Sequence, residues 1–99
     1  MKQTVNNHLV KSLGIKRALM VETLVMLWSL YRATNEGEDP RNIETLSNEI
    51  GKSHATVYRW LADFREAFPQ WSDPGDLLDA LDVRDRPVTV REVAALVIA

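Results

Sequence analysis

The chain has 99 residues, of which 45% are hydrophobic and 26% are charged, and its formal net charge is −2. This composition is typical of a folded globular chain rather than a disordered one, and the length suits one domain with one modest core. The sequence contains no cysteine, which excludes disulfides, thiolate metal sites and a cysteine nucleophile.

The first fourteen residues indicate a short helix. Leu9, Val10 and Leu13 recur at helical spacing within residues 5–13, and Gly14 is well placed to end the helix. This segment has no uninterrupted apolar run and no cleavage-like site, so we predict no signal peptide. The longest apolar stretch, residues 24–31, is far shorter than the roughly 20 residues of a membrane span. We therefore expect a soluble cytoplasmic protein that does not contact a membrane.

Residues 16–35 form the longest periodic segment and are predicted to be a central helix. Its apolar face is widened by Val21, Val25 and Met26. A helix that is apolar nearly all round is either central to a fold or half of a subunit interface. The polar run at residues 35–40 ends it.

Two further helices are predicted at residues 42–50 and 54–68, separated by a turn at residues 51–53. Ser53 is a natural N-cap for the second helix, and Pro69 stops it. Its predicted core face carries Val57, Trp60, Leu61, Phe64 and Phe68.

The C-terminal third, residues 72–99, is predicted to be a helical extension. A turn at 72–75 precedes a short acidic helix at 76–81, and residues 85–87 form a break. Thr89 and Glu92 then match a capping box before an apolar run at 93–98. The sequence thus predicts an all-α fold of about five helices in one domain, residues 1–99. A winged variant is less favoured because only residues 87–91 look strand-like.

Residues 43–68 carry the functional signal. A steep helix crossing over a short turn needs an apolar residue such as Leu46 in the first helix, a small residue such as Ser47, and a residue tolerant of positive φ such as Gly51. The segment resembles the helix-turn-helix of bacterial and phage transcription regulators, resolvases and transposases, where a Gly-x-Ser-x-x-Thr-Val-Tyr-Arg-Trp-Leu run is familiar. Two positions depart from that pattern: Ser47 replaces a commoner alanine, and Lys52 replaces a turn hydrophobe.

The resemblance implies that helix 54–68 docks in the major groove of double-stranded DNA. Residues near the start of such a helix reach base edges, and phosphate contacts set its register. We expect base-edge contacts from His54, Ala55, Thr56 and Arg59, with Arg59 reaching either a guanine or a phosphate. We expect phosphate contacts from Thr45, Ser47, Lys52, Ser53 and Tyr58. For Tyr58, a partly buried position with its hydroxyl outside is an equal alternative.

Charge and apolar surface bear on the partners. Residues 1–61 contain eight Lys/Arg against six Asp/Glu, and residues 62–99 contain four against eight, so a DNA contact has to lie in the first two thirds. A homodimer is expected because one helix-turn-helix contacts only a few base pairs. It could use the wide face of helix 16–35 or the C-terminal run, unless these surfaces pack on each other. The C-terminal run comprises Val93, Ala94, Leu96, Val97 and Ile98.

We therefore expect a small sequence-specific transcriptional repressor of bacterial or phage type, associated with the nucleoid when bound to DNA. The alternative is a protein-interaction module on the same fold, such as an antirepressor or inhibitor, which the acidic residues 72–85 favour. No catalytic triad order, glycine-rich phosphate loop or metal-ligand spacing is evident, so we expect neither an enzyme nor a cofactor or metal.

Overall fold

The structure, a computed structural model, describes residues 7–40, 42–83 and 86–98. The predicted helix start at Val5, the start of the break at Asp85 and the side chain of Ile98 lie outside the described residues. Within those residues the chain is helical and has no strand, which confirms the all-α class. The helices are α1 (Asn7–Leu13), α2 (Ile15–Thr34), α3 (Ile43–Ile50), α4 (His54–Ala67), α5 (Pro74–Leu81) and α6 (Val90–Ile98).

Helix α2 is the centre of the fold. It contacts each of the other five described helices, so the apolar residues that surround it are buried from several sides. Leu24 and Trp28 lie in the main core with Leu46 of α3 and Phe64 of α4. The wide apolar face predicted for this segment is therefore used inside the chain.

The two surfaces considered for dimerisation are largely internal. Val21 and Val25 of α2 are fully buried, and Val93 and Ala94 of α6 are buried as well. Ala94 packs with Leu9 of α1 in a second small cluster. The alternative in which these surfaces pack within one chain is the one that the structure adopts.

Polar contacts fix the position of α6. The Ser29 hydroxyl of α2 accepts a buried 2.7 Å hydrogen bond from the backbone N–H of Val88. The predicted capping box is present: the Thr89 N–H donates to the Glu92 carboxylate at 2.8 Å, and the Glu92 N–H donates to the Thr89 hydroxyl at 3.2 Å.

Helix α5 begins earlier than predicted. Residues 74 and 75, expected in a turn, are its first two residues. The Asp73 carboxylate caps the helix by accepting from the Asp76 N–H, and Pro74 fits the first turn because its φ is already near the helical value. The prediction of a turn at 74–75 was wrong, because the Asp73 cap and Pro74 start a helix at these residues.

A buried arginine joins α5 to the centre of the fold. Arg32, at the end of α2, is 1% exposed and donates to Asp39 at 2.8 Å, Asp79 at 3.0 Å and the Gly75 carbonyl at 3.3 Å. These bonds connect α2, the segment after it and α5. They surround a buried cation with acceptors, as buried charge requires.

Candidate nucleic-acid interface

The turn between α3 and α4 consists of residues 51–53. Gly51 has φ 74° and ψ 31°, the left-handed conformation that the sequence predicted for it. The backbone N–H groups of Gly51 and Lys52 both donate to the Ser47 carbonyl, at 2.8 and 3.2 Å, which closes the end of α3. Ser53 is extended and caps α4, as predicted.

The inner face of α4 holds the helix against the rest of the chain. Val57 and Phe64 are fully buried, whereas Trp60 and Leu61 are half-buried and pack against the core. Helix α4 contacts both α3 and α2. Because the core fixes this face, the opposite face of the first two turns is directed to solvent.

The outer face of the turn and of the start of α4 is exposed. Its exposed members are Lys52, Ser53, His54, Ala55, Tyr58 and Arg59. Tyr58 is 60% exposed, which decides against the partly buried alternative considered for it. Residues 51–62 include two cations, Lys52 and Arg59, and no acidic residue. This surface is therefore positively charged although the chain as a whole is acidic.

The hydroxyl groups at the start of α4 are partly used within the protein. The Ser53 hydroxyl accepts from the Thr56 N–H at 3.3 Å and donates to the Thr56 hydroxyl at 3.1 Å. Ser53 thus acts first as the cap of the helix. The Thr56 hydroxyl, half-buried, accepts in this contact, so its own proton remains able to donate outward.

Two predicted phosphate ligands on α3 differ in access. Thr45 is half-buried, whereas Ser47 is 6% exposed and its buried hydroxyl has no hydrogen-bond partner among the described residues. Ser47 lies where α3 approaches the core, because the small residue that this approach requires has to face inward. The expectation that Ser47 contacts phosphate is therefore wrong.

The sequence reasoning missed two cations that the fold brings to α4. Lys16 and Arg17, in the first turn of α2, line a shallow surface concavity of about 280 Å³ together with Arg59. Met20, Trp60 and Asp63 complete its lining. The available signal was the Lys-Arg pair at residues 16–17, two positions after Gly14, but only the packing of α2 on α4 places it beside Arg59.

Other kinds of site find little support in the described part of the chain. No group of three His, Asp or Glu residues is close enough there to hold a metal ion. None of the helices described is long and apolar enough to cross a membrane.

Comparison with known proteins identifies no similar protein. The chain matches no protein-family model, and no curated protein or solved structure shows significant similarity to it. The geometry and charge of this surface are therefore the features that point to a function.

Proposed function

We propose that the protein is a DNA-binding regulator that inserts the start of α4 into the major groove of double-stranded DNA. The observation that carries the proposal is the two-sided character of α4. Val57 and Phe64 anchor one side in the core, while His54, Ala55 and Arg59 are exposed on the other. The major groove is wide enough for one α-helix, and a helix entering it reads bases through its first turns.

The exposed residues have the chemistry that base edges require. His54 can donate or accept a hydrogen bond, Thr56 can donate, and Ala55 can contact a thymine methyl group. Lys52, in the turn, is positioned beside the start of the helix where the sugar-phosphate backbone would pass. Arg59 lies one turn further along α4 and adds a second cation to the same surface.

The acidic charge of residues 72–85 supports the protein-interaction alternative less once the roles of its carboxylates in the fold are considered. Asp73 caps α5, Asp76 accepts from the Ser72 N–H at 3.1 Å, and Asp79 binds Arg32. These carboxylates thus have structural roles within the chain. Their acidity does not by itself indicate a docking surface for a basic partner.

Regulation would follow from occupancy: a protein bound at an operator blocks or recruits polymerase, and repression is the simpler outcome. Two-fold dimers on pseudo-palindromic sites would supply the affinity that one small unit lacks. Because Val21, Val25, Val93 and Ala94 are buried in one chain, such a dimer would have to use another surface. Light scattering of the protein with and without DNA would determine the stoichiometry.

The test is fluorescence anisotropy of a labelled random-sequence duplex, titrated with the wild type at 50 and 150 mM salt. The two matched variants are Arg59→Ala and Arg91→Ala, which each remove one exposed arginine, from α4 and α6 respectively. We expect salt-sensitive binding by the wild type, weakened by Arg59→Ala and unchanged by Arg91→Ala. Absence of binding even at 50 mM salt would overturn the proposal in favour of a protein-interaction module. Equal weakening by both variants would show that binding follows net charge rather than α4.

A further inference from the structure

The concavity between α2 and α4 gathers three cations from two helices. Lys16 and Arg17 reach it from the first turn of α2, and Arg59 reaches it from the middle of α4. All three side chains are in exposed residues, so solvent or a ligand has access to each. One carboxylate, that of Asp63, lies in the same lining.

The position of Lys16 and Arg17 is unfavourable for the free protein. The start of a helix carries a partial positive charge, so cations in the first turn weaken a helix and carboxylates stabilise it. The first turn of α2 holds both cations and no acidic residue, and Gly14 provides no side-chain cap. An acidic residue does lie in the first turn of α3, α5 and α6 (Glu44, Asp76 and Glu92), whereas α1 and α4 resemble α2 in having none there.

An ion pair between Arg17 and Glu66 offsets little of that repulsion. Arg17 approaches Glu66 of α4 at 3.7 Å, but the two side chains are 47% and 74% exposed. An ion pair this open and this long contributes little to stability. Asp63 and Glu66 supply two negative charges against the three cations, so the cluster keeps a net positive charge that an external anion can meet.

We infer that this concavity binds a phosphate of the DNA backbone, so that the start of α2 forms a second contact with the strand beside α4. The inference rests on the proposed function and deepens it. Because Arg59 shares the concavity with Lys16 and Arg17, it contacts the backbone rather than a guanine. Sequence discrimination then falls to His54, Ala55 and Thr56, and Arg59 contributes affinity for any sequence.

The first test is the salt dependence of binding to the random duplex by the double variant Lys16→Ala/Arg17→Ala. Each lost phosphate contact reduces the magnitude of the slope of log K against log salt by about 0.9, so loss of the one phosphate bound here should reduce it by up to ~0.9. Arg91→Ala, an exposed arginine of α6 outside the concavity, is the control and should keep the wild-type slope. The melting temperature of the double variant should stay at or above that of the wild type, because cations leave the positive end of α2.

A second variant is expected to gain affinity. Asp63→Asn removes the carboxylate that lines the concavity while preserving the size of the side chain. With a phosphate bound there, binding to the random duplex should become several-fold tighter at 50 mM salt. A purely structural role for Asp63 would leave binding unchanged.

The outcomes separate this inference from the proposed function. If the wild type binds DNA but the double variant keeps the full slope, the concavity does not hold a phosphate and the function still stands. If Arg59→Ala weakens binding to a selected site much more than to random duplex, Arg59 reads a base and the inference is wrong. If the wild type binds no DNA at all, the proposed function fails and the inference fails with it.

Discussion

Replacement of Arg32 by methionine removes a cation that is 1% exposed while preserving most of the volume of its side chain. The carboxylate of Asp39, whose side chain is 11% exposed, then loses the guanidinium that donates to it, and the Gly75 carbonyl loses a donor. Removing one member of a buried ion pair costs about 3–5 kcal/mol, because the remaining charge stays buried without its counter-ion. For a chain of this length, a loss of 3 kcal/mol corresponds to a fall in melting temperature of roughly 12–24 °C.

Asp79→Asn is the graded control for this prediction. The side chain of Asp79 is 43% exposed, and Arg32 keeps Asp39 when Asp79 is neutralised. A pair this accessible to water contributes about 1 kcal/mol or less. Circular dichroism during urea and thermal unfolding would give the free energy of unfolding for the wild type and both variants.

The ranking of the two variants is the decisive result. We expect Arg32→Met to be the much less stable variant and Asp79→Asn to remain close to the wild type. An unfolding free energy of Arg32→Met within 1 kcal/mol of the wild-type value would refute the reasoning. It would mean that Asp39 is satisfied without Arg32, or that the cluster is open to water.

Three further predictions concern single positions. Gly51→Ala places a Cβ on a residue whose φ is 74°, so urea unfolding should show a loss of about 1–2 kcal/mol in the free energy of unfolding. An unchanged urea midpoint would mean that the turn relaxes to accept the Cβ. Gly75→Ala puts a Cβ 2.6 Å from an oxygen of the Asp39 carboxylate, so thermal unfolding should show a loss of about 1–3 kcal/mol in the free energy of unfolding. A more stable variant would show that the Asp39 side chain moves aside freely. The hydrogen bonds from Arg86 and from the Thr89 N–H lower the pKa of Glu92 from 4.5 to about 2. In thermal unfolding, the wild type should therefore be more stable than Glu92→Gln by the full amount above pH 4.5, and this advantage should disappear as the pH falls toward 2. A stability difference that does not vary with pH would contradict the prediction.

Local signals in the sequence predicted much of the fold. The positive φ of Gly51, the Ser53 cap and the reciprocal bonds of Thr89 with Glu92 each depend on residues within a few positions of one another. The apolar periodicity of α2 likewise predicted its central place, because a helix surrounded by apolar residues has to be covered on all sides. Such features are readable because their causes are short-range.

Features that depend on distant residues were not predictable in the same way. Arg32 and Asp79 are 47 positions apart, so no spacing rule connects them. The burial of Ser47 and the meeting of Lys16 with Arg59 also depend on how whole helices pack. At the candidate interface, the sequence therefore predicted the outer face of α4 but missed the contribution of α2.

Contact between the start of α4 and DNA is the central feature of the proposed function. The most direct measurement is a two-dimensional NMR titration of the labelled protein with a short random duplex at low salt, following each backbone amide. We predict that the shifted amides cluster at residues 52–59 and at residues 15–17, while α5 and the end of α6 stay unchanged. Shifts centred on α5 and α6, or no shifts at a duplex concentration above that of the protein, would contradict the account.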